Sequence, residues 1–393
     1  MPGLGVMIRR RKRGAGVGVM SPLAVQDETL RQPAEVRCAG ELAALRGQDR
    51  GAKPPGWFLS PRTVETFVMG SPEAIPGHHG RPVEITPKFV GDRRLVQVAI
   101  ATLASDRALL LCGEPGNGKS FLSEHLAAAI SGTSALTIQG TAGTSEDQIK
   151  YGWNYALLIA EGPTRRALVE SPTLRGMQRG QLVRFEELTR CSSEVQDALI
   201  SVLSEQQIVI PELGETVQAR RGFAVIATAN TRDRGVNEMS AALKRRFNFV
   251  TIPVIADLNQ EAEIVERRSA ETLIQIGAPA ETEVPRDLVR LLTQVFAELR
   301  RGQTLDGLTK LQSPSTVLST AELISTVTNG ALMASFFGSG RVTVRDGLAS
   351  MLGAVAKEGA NDLDALKEYL ETTVKARGDG LWPELYRAGR ELL

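Results

Sequence analysis

The sequence predicts an α/β fold, a mostly parallel five-stranded sheet followed by a separate α-helical domain. Three observations carry that expectation. Residues 113–120 read Gly-Glu-Pro-Gly-Asn-Gly-Lys-Ser, with an apolar run before them and a helical run after. From Ile85 to about residue 256, strand-like and helix-like segments alternate, the pattern of a parallel sheet covered on both faces. After Asp257 no strand pattern survives.

Residues 1–84 read as an N-terminal extension. The basic run Arg9-Arg10-Arg11-Lys12-Arg13 has Gly/Val-rich flanks without helical periodicity and reads as a solvated tail. No apolar core follows it, so it does not resemble a cleaved signal. A short helix is expected over 35–45. Pro54-Pro55-Gly56 and the Pro/Gly/His stretch 72–82 bracket an apolar patch, 57–69, expected to pack on the main domain, while His78-His79 reads as a solvated loop. In the α/β domain, 85–256, strands are expected at 108–112, 135–139, 181–186, 223–228 and 248–252. Helices are expected at 92–104, 118–130, 193–204 and 239–246. The helical domain, 257–393, carries segments at 257–275, 285–301, 318–335, 345–357, 361–377 and 383–392.

Residues 113–120 complete the pattern G-x-x-x-x-G-K-[ST]. Ala108-Leu109-Leu110-Leu111-Cys112 precedes them as a buried strand, and a helix without proline or glycine follows from Phe121. In that context Gly113, Glu114, Pro115, Gly116, Asn117 and Gly118 form a loop whose backbone N–H groups curl around phosphate oxygens, aided by the helix N-terminus. Lys119 would reach the β- and γ-phosphates of a nucleoside triphosphate, and Ser120 would hold Mg²⁺.

Downstream residues narrow the class. Gln181 to Glu186 is an apolar strand ending in two acids, Glu186 and Glu187. The first is expected in the Mg²⁺ shell and the second to polarise the attacking water. Residues 207–218 read as a β-hairpin with its turn at 212–215. Residues 223–230 form a strand tipped by Asn230, and a helix ends on Lys244-Arg245-Arg246.

That order resembles the AAA+ ATPases, and within them the MoxR-type group. Glu186-Glu187-Leu188-Thr189-Arg190 is similar to the group's Asp-Glu-Ile-Asn-Arg signature, and Val90-Gly91 to its entry to the adenine pocket. The resemblance implies that Val90, Gly91 and the loop through Phe121 bind ATP. It implies that Asn230 is the sensor, and that Arg246, or else Arg245, is the arginine finger offered to a neighbouring subunit. Residues 141–180 stand at the helix-2 insert, 207–218 at the hairpin before the sensor, and the helical tail at the lid. The resemblance further implies a hexameric ring, chaperone-like remodelling or activation of a partner protein, and a partner with a von Willebrand factor A domain. Three positions depart from the pattern: Glu186 stands for aspartate, Ser315 for the second sensor arginine, and Arg184 interrupts a strand that should be apolar.

Some residues admit two readings. Arg190 suits an intersubunit contact or a surface ion pair. Tyr151, Trp153 and Tyr155 suit packing or substrate contact. Asn230-Thr231-Arg232-Asp233 is weakly similar to a guanine-reading element but lacks its lysine, so adenine is the expected base. A net charge of +1 without a basic stripe speaks against nucleic acid as a partner. No apolar run approaches membrane-spanning length, and the three cysteines, Cys38, Cys112 and Cys191, have no metal-ligand or redox spacing. A cytoplasmic setting is expected.

Overall fold

The computed structural model describes residues 31–77, 80–230, 237–315, 317–356 and 360–393. The basic run at 9–13 and His78-His79 lie outside these described residues. The chain divides into compact units, Pro33–Ile255 and a helical one from Ala256 to Leu393.

The first unit is built on a sheet of β1 (Ala108–Gly113), β2 (Thr137–Gln139), β3 (Leu182–Glu186), β4 (Ala224–Asn230) and β5 (Phe247–Thr251). All pairings are parallel, in the spatial order β5-β1-β4-β3-β2. Every residue of β1 is buried, and its side chains alternate between two clusters. Leu109 and Leu111 join a cluster with Phe67, Val96, Ile100, Leu122 and Leu126, while Ala108, Leu110 and Cys112 join one with Phe185, Leu199 and Leu243. Helices on both faces therefore enforce the parallel arrangement.

Residues 33–84, set apart in the sequence as an extension, share this core. Leu42, Leu45, Trp57, Leu59, Val64, Phe67 and Val68 lie in the same cluster as Leu109 and Leu111. The expected helix at 35–45 is two pieces, Ala34–Arg37 and Ala39–Gln48. Ion pairs tie the segment down: Arg37 Nη2 lies 3.0 Å from Glu124 Oε1, and Glu41 pairs with the buried Lys88.

Between β2 and β3 lies an antiparallel pair, Tyr151–Trp153 with Leu168–Glu170, and the Tyr155–Glu161 helix between them. The hairpin Gln207–Ile210 with Glu215–Gln218 forms as expected, but Pro211–Leu213 makes a 3₁₀ turn closed by Gly214 in the left-handed region. Tyr151 OH donates to Glu212 Oε2 at 3.0 Å, joining the two additions. Burial and that carboxylate push the Tyr151 hydroxyl up to about 12. Tyr151 and Trp153 pack against the cluster of Leu174, Met177, Ile208 and Ile210, while Tyr155 is exposed.

The helix expected at 239–246 is shorter, Ala241–Lys244, because Arg246 already leads into β5. In the helical unit the main segments are Leu258–Gln275, Arg286–Arg301, Thr320–Phe337, Val344–Val355, Ala360–Thr372 and Trp382–Leu392. They close over a core that includes Val295, Phe296, Leu323, Leu348, Leu366 and Leu385.

Candidate nucleotide site

The phosphate loop leaves β1 at Gly113 and enters the Lys119–Ser131 helix. Gly113 has φ 152°, and a Cβ there would stand 2.6 Å from the Ile252 carbonyl oxygen, so only glycine fits. Gly118 caps the helix at φ 80°. The buried Lys119 ammonium donates to the carbonyl oxygens of Gly113 at 3.1 Å and Glu114 at 2.6 Å, which places its charge inside the loop. Asn117 Nδ2, in the same loop, is buried without a hydrogen-bond partner among the described residues.

Glu186 ends β3 with its carboxylate fully engaged. Oε2 accepts from Ser120 Oγ at 2.7 Å and Thr228 Oγ1 at 2.8 Å. Oε1 accepts from Ser123 Oγ at 2.6 Å and Arg184 Nη2 at 2.7 Å. Burial alone would raise its pKa, but the Arg184 charge and the three hydroxyl donors outweigh burial and hold it below the ordinary carboxylate value.

Glu187 follows in the left-handed region, φ 54°. A non-glycine residue held there costs about 1–3 kcal/mol, and such strain gathers at functional sites. Its backbone N–H donates to Thr228 Oγ1 at 2.9 Å. Gly140 makes the turn possible: its N–H donates to the Glu186 carbonyl at 2.7 Å, and a Cβ there would meet the Glu187 carbonyl oxygen at 2.4 Å. The Glu187 carboxylate pairs with Arg190 Nε at 2.5 Å. Of the two readings of Arg190, the ion pair is therefore present.

The sheet thus brings Lys119, Ser120, Glu186, Glu187 and Asn230 to the C-terminal ends of adjacent strands, with Asn230 in register beside Gly113. Thr231, Arg232 and Asp233, the rest of the guanine-like stretch, lie outside the described residues. Val90 and Gly91 precede the Arg93–Leu103 helix, which Asp92 caps by accepting from Arg94 N at 2.8 Å. Phe121 lies 4.1 Å, ring to ring, from His125. Arg245 and Arg246 stand at the other end of the sheet, where the Arg246 carbonyl accepts from Ala108 N at 3.1 Å. Five residues of strand, about 16 Å, separate that point from the phosphate loop. Arg245 is exposed, while Arg246 folds back, donating to Ser204 Oγ and the Ala242 carbonyl. Ser315 does not stand free either, since its N–H and Oγ both donate to Asp362.

Hard oxygen donors suit Mg²⁺. Ser120 meets that chemistry directly, while Glu186, whose oxygens already accept four hydrogen bonds, would serve the ion's outer shell through Ser120. Ser120 Oγ gives its proton to Glu186 and keeps its lone pairs for a cation. Sequence reasoning missed Ser123, Thr228 and Gly140. The signals were a serine one helical turn after Ser120 and a threonine alone in the apolar run Val225 to Ala229.

A model of the AAA domain (dynein-related subfamily) matches residues 108–247, and one of the YehL-like AAA+ ATPase C-terminal domain matches 259–393. The chain is 45% identical over 365 residues to the YehL protein of Escherichia coli (strain K12), covering 92% of this chain and 97% of that one. A Staphylococcus haemolyticus (strain JCSC1435) protein is 24% identical over 198 residues, 49% of this chain and 74% of that one. Among solved structures, NtrX from Brucella abortus in complex with ATP aligns at TM-score 0.47 and 16% identity, over 78% of this chain and 69% of that one. In another NtrX structure the alignment spans 64% of that chain, at TM-score 0.46 and 14% identity over 77% of this one. With nearly its whole length shared with YehL and residues 259–393 matched by that group's own model, the chain belongs to the YehL-like AAA+ ATPases.

Proposed function

We propose that this chain is a Mg²⁺-dependent ATPase of the MoxR type. In this reading it works as a ring, with six subunits expected, and uses hydrolysis to remodel or activate a partner protein. The observation that carries the reading is the convergence of Ser120, Glu186 and Glu187: Ser120 Oγ and Thr228 Oγ1 both donate to Glu186 Oε2, and Thr228 Oγ1 accepts from the Glu187 N–H. Loop N–H groups and Lys119 bind the β- and γ-phosphates. Ser120 and Glu186 would hold Mg²⁺, which when bound supplies charge neutralisation at the phosphate oxygens. Glu187 orients the attacking water and accepts its proton. Asn230, beside the loop in register, contacts the γ-phosphate or that water. Arg246 stands too far from its own phosphate loop and completes a neighbour's site. A von Willebrand factor A domain protein is the kind of partner the resemblance suggests. A cytoplasmic setting belongs to this reading, and no helix among the described residues is long and apolar enough to cross a membrane.

The experiment is Lys119→Ala. Fluorescent-ATP binding should collapse, and unchanged affinity would refute the phosphate-loop assignment. A second reading, a slow nucleotide-gated assembly switch, is favoured by the Glu187–Arg190 ion pair, which ties up the water-activating acid. Turnover that stays slow with and without a captured partner would select the switch.

A further inference from the structure

We propose that Arg184 is a positioning residue, and that it and Glu186 form a matched pair allowing a glutamate to serve where the metal-shell acid stands. The proposal rests on the Mg²⁺–ATP reading of this site. Arg184 and Glu186 lie two residues apart on β3, so both project to the same face of the sheet. They are 9% and 5% exposed. A buried guanidinium in a parallel strand is costly unless its donors are satisfied. Here they are satisfied from three directions. Nε donates to Ser123 Oγ at 3.0 Å and Nη2 to the Ser120 carbonyl at 3.3 Å, both on the phosphate-loop helix. Nη1 donates to the Ser134 carbonyl at 3.2 Å and to Thr137 Oγ1 at 3.3 Å, before and on β2. The planar fork is thereby fixed, and Nη2 meets Glu186 Oε1 at 2.7 Å.

That geometry divides the carboxylate. Oε1 is held by Arg184 and Ser123, which leaves Oε2 to Ser120 and Thr228. A glutamate has one more methylene and one more torsion than aspartate. Without a fixed partner on Oε1 its carboxylate could rotate away from Ser120. Ser123 is the keystone, accepting from Arg184 while donating to Glu186.

Charge and positioning predict opposite signs. If Arg184 acted only as a nearby cation, its removal would strengthen binding of another cation. If it positions Glu186, its removal weakens Mg²⁺ binding. The test measures fluorescent-ATP affinity in EDTA and then across a Mg²⁺ titration, with thermal unfolding of the nucleotide-free protein, for Arg184→Met, Arg184→Lys, Ser123→Ala, Glu186→Asp and the double variant Arg184→Met/Glu186→Asp. Loss of one charge-assisted hydrogen bond should raise the Mg²⁺ concentration for half-maximal tightening about tenfold in Arg184→Met, and somewhat less in Ser123→Ala. Affinity in EDTA should stay unchanged. Lysine keeps the charge but loses the fork, so Arg184→Lys should not restore the Mg²⁺ response. The double variant should unfold at a higher temperature than Glu186→Asp alone, because no guanidinium is left buried without its carboxylate. Unchanged or improved Mg²⁺ response in both Arg184→Met and Ser123→Ala would overturn the proposal. Should Arg184→Met not fold, Ser123→Ala decides alone. Weak ATP binding by the wild-type protein in both EDTA and Mg²⁺ would strike the nucleotide-site reading instead.

Discussion

The backbone N–H of Glu187 donates to Thr228 Oγ1 at 2.9 Å, and that hydroxyl passes its own proton to Glu186 Oε2 at 2.8 Å. One threonine on β4 therefore sets the height of both acids at the end of β3. Thr228→Val keeps the shape and removes the bridge. An unsatisfied buried N–H costs about 1–3 kcal/mol. The variant should lose that much in denaturant unfolding, and its turnover should fall while ATP binding in EDTA persists.

Glu187 and Arg190 separate binding from chemistry. Glu187→Gln should bind ATP normally and hydrolyse it poorly, since only the proton acceptor is lost. Arg190→Ala releases the carboxylate from a half-exposed ion pair that contributes about 0.2–1 kcal/mol, so basal turnover should rise by no more than about fivefold. A steady-state assay of both variants checks the pair; a fall in Arg190→Ala turnover would mean that the arginine supports catalysis, as an intersubunit role requires.

Arg246 should act on a neighbour. Arginine fingers contribute roughly 10³–10⁵ in rate in related phosphate-loop systems, so Arg246→Ala should be nearly inactive. Mixing it with Lys119→Ala chains should recover activity, because one subunit keeps the pocket and the other the finger. The assay is turnover against mixing ratio in verified mixed oligomers. Absence of any recovery there would shift attention to Arg245.

The helical unit has its own pH dependence. Glu298 is fully buried and accepts from Arg377 Nη2 at 2.8 Å and Tyr369 OH at 2.7 Å. Burial raises its pKa, but the hydrogen bonds from Arg377, Tyr369 and Gln294 and the Arg377 charge lower it more, so the net shift is downward. A carboxyl depressed in the folded state stabilises above its unfolded value of 4.5, and that contribution disappears as pH falls through the lower folded value. Glu298→Gln should cost about 1–3 kcal/mol at neutral pH, because the hydrogen bond from Arg377 loses its charged acceptor. It should also flatten the acid limb below pH 4.5. Urea midpoints between neutral pH and pH 3 provide the check.

Glycines, a lysine and a serine at fixed spacing between an apolar run and a helical run determine the strand, glycine loop and helix at 108–131 locally, so the sequence alone sufficed for that turn. Alternating strand and helix patterns likewise determined the parallel sheet, and the loss of strand pattern after Asp257 the helical unit. The apolar patch 57–69 was legible as packing on the main domain, and it packs there; that Leu42 and Leu45 of the preceding helix join the same cluster depends on contacts with segments far along the chain. Arg184 had no local explanation. Its four oxygen acceptors besides Glu186 come from Ser120, Ser123, Ser134 and Thr137, all more than 40 positions away. Gly140 was silent for the same reason, and Thr228 showed only as a threonine alone in an apolar run, with its partners 41 and 42 positions away. Local rules fix what each segment becomes, whereas satisfaction of a buried charge or N–H is settled only when distant segments meet.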